Sequence, residues 1–218
     1  MFIGHFGIGL AAKRLAPRTS LGTLFFAAQF LDLIWPIFLL LGLEHVRVVP
    51  GITAVSPFDF YDYPISHSLA AVVGWSAVIG ILYLVASHYR RGALVVGIAV
   101  LSHWILDALV HRPDLPLFPG GHTRVGLGLW NSWPASIAVE SVFFVAGLWI
   151  YLTNTRTRDK VGTIALWSLI FVLVAGWIST LVSKAPPSKD VLAWGALAMW
   201  LFVPWGWWVE RHRESRLK

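Results

Sequence analysis

Asp32, His103 and Asp107 sit in stretches apolar enough to cross a bilayer. Ionisable groups at that depth are expensive and are kept for function. His103 and Asp107 are four residues apart, so a helix stacks them on one face, one turn above the other. Imidazole and carboxylate suit Zn, Mn, Fe or Mg, and such a pair can ligate one ion through both side chains. In a second arrangement Asp107 accepts the other ring N–H of His103 and fixes its tautomer. In a third, a plain His–Asp hydrogen bond pins two helices together without metal. Pro36 follows Asp32 by four residues, and its missing N–H leaves the Asp32 carbonyl as an extra acceptor beside the carboxylate.

Further candidates lie along the chain. His67 stands in Asp62-Tyr63-Pro64-Ile65-Ser66-His67-Ser68, at a helix entrance with Ser66 available as a cap. His5 lies in a short apolar segment that ends at Lys13 and Arg14. It is within the membrane if that segment inserts and on the surface if it is an interfacial helix. Glu140, in a later apolar stretch, is a ligand, a general base, or a partner for Arg112 or Arg124. His111 and Asp114 follow Asp107 and can line an entrance. His45, His88, His122 and His212 fall in loops or tails. The chain has no G-x-S-x-G elbow, phosphate loop or H-E-x-x-H, so serine-triad and nucleotide chemistry have no support.

Six segments are long and apolar enough to position these residues as spans: about 20–43, 68–87, 92–111, 134–153, 161–183 and 191–209. The 218-residue chain is 57% hydrophobic and only 13% charged, about half the charged share of a soluble domain. The predicted fold is an all-α polytopic membrane bundle of about six transmembrane helices, preceded by a short half-inserted helix. Residues 1–155 form the polar-site bundle. Residues 156–218 form a C-terminal helical pair in the same membrane domain, a scaffold with no ionisable residue within its spans. Without cysteine there are neither disulfides nor thiolate ligands. The net charge of +6 comes from basic residues at the ends of apolar runs, which argues for membrane topology and against nucleic acid.

Of the 17 Lys and Arg, twelve fall on one side if the amino terminus is cytoplasmic: Lys13, Arg14, Arg18, Arg90, Arg91, Arg156, Arg158, Lys160, Arg211, Arg213, Arg216 and Lys218. The positive-inside rule then predicts both termini in the cytoplasm. Trp130 and Trp133 mark an outer boundary, and Trp205, Trp207 and Trp208 an inner one. Counting roughly 1.5 Å per residue puts Asp32 and His103 at one depth, about 18 Å from the cytoplasmic edge. Asp107 lies one turn further out, with Glu140 at a comparable level and His67 at the outer boundary.

The order of these residues resembles that of the membrane-bound metal-dependent hydrolases, bacterial inner-membrane proteins. The resemblance covers roughly residues 1–115. It is carried by Gly4-His5, by Asp32 in Gln29-Phe30-Leu31-Asp32, by Ser66-His67-Ser68, and by Ser102-His103 with Asp107. Phe30 and Leu33 stand where that family has a further Asp and a His, and Asp62 replaces the first His of its His-Arg-Gly stretch. The resemblance implies a divalent metal, Zn or Mn, on His103, Asp107, His67 and Asp32, with His5 as a further ligand and Asp62 or Glu140 as general base. It implies hydrolysis of a lipid ester or phosphoester drawn from the membrane. A proton- or ion-coupled transporter relaying through Asp32, His103 and Asp107 is the alternative from another class. A non-catalytic scaffold glued by polar contacts is the third.

Overall fold

The computed structural model describes residues 1–217 as an all-α bundle. Its helices are α1 (Ile3–Leu15), α2 (Leu21–Ala28), α3 (Phe30–Leu40), α4 (Pro64–His67), α5 (Leu69–Ser87), α6 (Arg90–Val110), α7 (Trp133–Asn154), α8 (Lys160–Val182), α9 (Lys189–Ala196) and α10 (Phe202–Arg211). Among the described residues five helical stretches are long and apolar enough to cross a membrane, with α9 and α10 joined through a 3-10 turn at Leu197–Leu201 into one of them. The bent pair α2–α3 makes a sixth. Side chains cap the starts: Ser20 accepts from the Thr23 amide, Ser132 from Ala135, and Asp159 from Gly162. Ser68, not Ser66, caps α5.

Three two-stranded antiparallel ribbons, not foreseen in the sequence, tie the loops: β1 (His45–Val48) with β2 (Phe58–Asp62), β3 (Leu115–Pro116) with β4 (Arg124–Val125), and β5 (Thr155–Thr157) with β6 (Arg213–Ser215). The last joins the α7–α8 turn to the C-terminal segment. Nearby, the buried Lys13 pairs with Glu210, Thr19 bonds Tyr83 at 2.9 Å, and Arg18 lies over the Tyr89 ring. The basic residues expected on the cytoplasmic side thus gather at one end of the bundle. Met1 does not join them. It is buried inside the bundle against Asp107, because α1 runs inward from that end.

The helix α1 is therefore central, not interfacial. Ile3, Phe6 and Leu10 share a core with Phe25, Phe144, Leu166, Leu169 and Leu173. A second core joins Leu31, Trp35, Phe60, Val96, Val100 and Trp104. The C-terminal pair enters both, through Leu166 and Val209 in one and Ala193 in the other. The α2–α3 span breaks at Gln29 with a 56° bend, while α3 runs on through Pro36. The interruption of the span thus lies almost two turns before Pro36.

Two helix pairs touch backbone to backbone. A Cβ added at Gly147 on α7 would lie 2.6 Å from the Gly7 carbonyl carbon on α1. One added at Gly206 on α10 would lie 2.7 Å from the Gly22 Cα on α2. Small residues permit such approach, and overpacking there costs about 1–3 kcal/mol. Gly147→Leu should lower the thermal midpoint of the detergent-solubilised protein by that equivalent. Gly74→Ala, on an exposed stretch of α5 with nothing within 4 Å, should be neutral or slightly stabilising. Equal midpoints for the two variants would refute the close α1–α7 contact.

Candidate metal centre

Four elements deliver the site. The α2–α3 break brings Asp32 into the first turn of α3, where the helix dipole favours a carboxylate. The same break frees the Ala28 carbonyl, which accepts from His103 Nδ1 at 2.8 Å. A carbonyl only accepts, so Nδ1 carries the proton and Nε2 presents a lone pair. That Nε2 lies 3.2 Å from Asp107 Oδ2 and 3.6 Å from Asp32 Oδ1, is buried, and has no hydrogen-bond partner.

His67 is fixed by the same logic. Ser66 Oγ donates to Glu44 Oε2 at 2.6 Å and so accepts from His67 Nδ1 at 2.7 Å. Glu44 is buried and also accepts the amides of Ile65 and Ser66, each at 2.7 Å. Ser66, expected as a helix cap, is instead the link between a buried carboxylate and an imidazole. His67 Nε2 then faces Asp32 Oδ1 at 3.6 Å and Asp107 Oδ2 at 3.8 Å.

His111 repeats the pattern. Its Nδ1 donates to Asp114 Oδ1 at 2.9 Å, and its Nε2 lies 4.0 Å from Asp107 Oδ2. Tyr63 and Arg112 Nε also donate to Asp114, each at 3.2 Å. Trp130, expected in an outer aromatic belt, packs on His111 with ring centroids 4.2 Å apart. His111 and Asp114 are buried, not merely at an entrance. The signal was the ladder His103-x3-Asp107-x3-His111, whose second step the sequence reading did not use. Glu44 had no such signal.

Three imidazoles therefore point lone pairs toward two carboxylates. Ring-nitrogen to oxygen gaps of 3.6–4.0 Å are too long for hydrogen bonds. They match the spacing of ligands held about 2 Å from one ion. The nitrogens of His67 and His103 and an Asp32 oxygen all lie within 4.8 Å of one another, as do ligand atoms of His5, His103 and Asp107. His5 stacks on His103, centroids 3.6 Å apart and 7° from parallel, and bonds Asp107 Oδ1 through Nε2 at 3.1 Å.

Of the residues expected to act as base, Glu140 borders the same cavity but accepts the amides of Phe2 and Gly4 at 2.8 and 2.9 Å, anchoring the start of α1. It does not pair with an arginine: Arg112 is held by Asp59 and Asp114, and Arg124 by backbone carbonyls. Asp62 is not brought to the site. It is half-exposed on β2, and its carboxylate bonds His45 Nδ1 at 2.7 Å across the ribbon.

The imidazole tautomers are directly measurable. Long-range 15N–1H correlation spectra should show His67 and His103 protonated at Nδ1, and Ser66→Ala should release His67 but not His103. A proton on Nε2 of either ring would overturn the assignment of lone pairs to the centre.

No protein-family model, curated protein or solved structure matches this chain, so its function is argued from its own residues.

Proposed function

We propose that the chain is a membrane-embedded, metal-dependent hydrolase of the type its early motifs resemble. It would hold one divalent ion, Zn or Mn, on Asp32, His67, His103 and Asp107, and act on a lipid-like ester or phosphoester. One observation carries this reading. The Nε2 lone pairs of His67, His103 and His111 face Asp107 Oδ2, and those of His67 and His103 also face Asp32 Oδ1. The donors at Asp107, the Met1 ammonium at 2.6 Å and His5 Nε2 at 3.1 Å, bond its other oxygen, Oδ1. A cation among the facing acceptors relieves their conflict. The backing of each ring N–H by a carbonyl, a Ser–Glu relay or a carboxylate is the support that metal-ligating histidines receive. The side chain of Asp32 keeps 24% exposure toward the cavity, which leaves one side of the centre open to water and substrate.

Bound there, the ion supplies Lewis acidity and brings a water's pKa toward neutrality. The protein's groups do the rest. His5, together with the Met1 ammonium, holds Asp107 through its oxygen Oδ1. His111, backed by Asp114 and bordering the cavity, takes the water proton and returns it to the leaving group. The gathered basic end supports placing that end in the cytoplasm of a bacterial inner membrane, with both α1's Lys13 and the C-terminal segment there. The site then lies in the outer half of the bilayer, in contact with membrane lipids.

A second reading has one observation in its favour: a discontinuous span beside intramembrane charges is how carriers build coupling sites. Proton or ion flux into liposomes, abolished by Asp107→Asn, would favour transport over hydrolysis.

Purified protein should carry about one equivalent of Zn or Mn, and His103→Ala and Asp107→Ala should lose it. Ser66→Ala should weaken metal affinity by about 10–100-fold while the fold persists. Elemental analysis decides, and a folded, metal-free wild type that still hydrolyses lipid would sink the proposal. His111→Gln should keep the metal and lower kcat by roughly 100-fold or more. Unchanged kcat would remove His111 from the chemistry.

A further inference from the structure

A cavity of about 780 Å³ stands over the cluster, within the size range of small-molecule sites. Its floor is formed by Asp32, His67, Asp107, His111 and Glu140, and its walls by Trp35, Phe60, Trp130, Trp177, Leu192 and Met199. The walls join α3 and the β2 ribbon to the C-terminal pair, so the end of α8 and the face of α9 stand apart across it. Ile178 and Val182 on α8 and Trp194 on α9 are exposed apolar side chains of the same two helices. The aromatic and aliphatic walls offer apolar surface to an acyl chain above the floor, with Ser179, Thr180 and Ser183 also lining the cavity.

The floor is acidic. Three carboxylates face one divalent charge and the buried Met1 ammonium, which is itself spent on Asp107 at 2.6 Å, and the nearby guanidinium groups are spent elsewhere. Arg112 is paired with Asp59 and Asp114, and Arg124 donates to the carbonyls of Tyr61 at 2.7 Å and Asp114 at 3.0 Å. Both line a separate surface pocket. Among the described residues Lys184 is the one Lys or Arg bordering the main cavity, exposed beyond the end of α8. A phosphoester brings negative charge that grows toward the transition state and calls for cationic clamps at the reacting group. An uncharged carbonyl needs one polarising cation and a base.

Resting on the hydrolytic reading above, we infer that the substrate is a long-chain acyl ester or amide, cleaved at its uncharged carbonyl, and not a phosphoester. Water oxygen bonds to the carbonyl carbon while its proton passes to His111 Nε2. The bond from that carbon to the alcohol oxygen or amine nitrogen then breaks, and the leaving atom takes the proton. The products are a fatty acid and an alcohol or amine. The chain lies along the aromatic walls, and the carbonyl stands over the floor.

Gly195 offers a selective test. It lines the cavity, and an added Cβ there meets no heavy atom within 4 Å, so a large side chain can fill the acyl path without clashing with the bundle. The full chain, Zn-loaded in detergent micelles, is assayed with p-nitrophenyl myristate, p-nitrophenyl acetate and myristyl p-nitrophenyl phosphate. The myristate should exceed the acetate in kcat/KM by about tenfold or more. The phosphodiester should fall about 100-fold or more below the myristate. Gly195→Phe should cut the myristate value by about tenfold, hold the acetate value within about twofold, and leave bound Zn unchanged. Faster phosphodiester cleavage, no chain-length preference, or equal losses on both esters would each overturn the inference.

Absence of turnover on all three substrates overturns the hydrolytic reading and the assigned scissile group together. The acyl path is then judged by tryptophan quenching with myristoyl hydroxamate against acetohydroxamate. Tighter binding of the long chain, lost in Gly195→Phe, upholds the path, and equal binding refutes it.

Discussion

Buried imidazole lone pairs turned toward Asp32 Oδ1 and Asp107 Oδ2, with the nearby donors Met1 and His5 committed to Asp107 Oδ1, are the constraint around which this bundle is built. His103 Nε2 sits 3.2 Å from one carboxylate and 3.6 Å from another, and its own proton is already committed on the far side of the ring. Left alone, such a cluster of facing lone pairs loses its solvation without a hydrogen bond in return, since the Met1 and His5 bonds reach only Asp107 Oδ1. The surrounding structure nonetheless enforces it three times over, through a backbone carbonyl, a Ser66–Glu44 relay and the Asp114 carboxylate. Each device turns a ring so that its free nitrogen faces inward. A helix bundle seeking only stability would turn the rings the other way.

Around that centre the two apolar cores have different duties. One, joining α1, α2, α7 and α8, holds His5 against His103 and anchors Glu140 at the start of α1. The other, joining α3, α5, α6 and the β1–β2 ribbon, holds Asp32, His67 and His103 at one level. The C-terminal pair belongs to both and lines one side of the cavity. It supplies no ionisable group to the floor, as its sequence indicated, yet it furnishes Trp177, Leu192 and Met199 to the walls. Its part is to shape what can approach.

Much of this was legible in the residues. The spans follow from apolar run length, and the common depth of Asp32 and His103, with Asp107 one turn beyond, follows from helical rise counted from charged ends, whereas their meeting in space does not. Side-chain chemistry at helical spacing is a local property, so the His103–Asp107 pair was visible directly. The break at Gln29 was not, because nothing in Leu24-Phe25-Phe26-Ala27-Ala28-Gln29 is a helix breaker, whereas Pro36 is. A proline costs its helix one hydrogen bond, and α3 accommodates it. The Glu44–Ser66 relay was hidden because it depends on a loop folding back across the ribbon, which leaves no period in the sequence. Asp62 was misplaced for the same reason: an alignment of motifs fixes the order of residues, while the ribbon register sends its carboxylate to His45.

The position of α1 bears on how the molecule is assembled. Residues 3–15 leave the ribosome before 133–154 exist, yet Gly7 must finish against Gly147 with no room between the two backbones. Its contact with α7 is completed only once that later helix is present. Completion of the centre is thereby tied to completion of the bundle, since Glu140 on α7 anchors the start of the helix that carries His5.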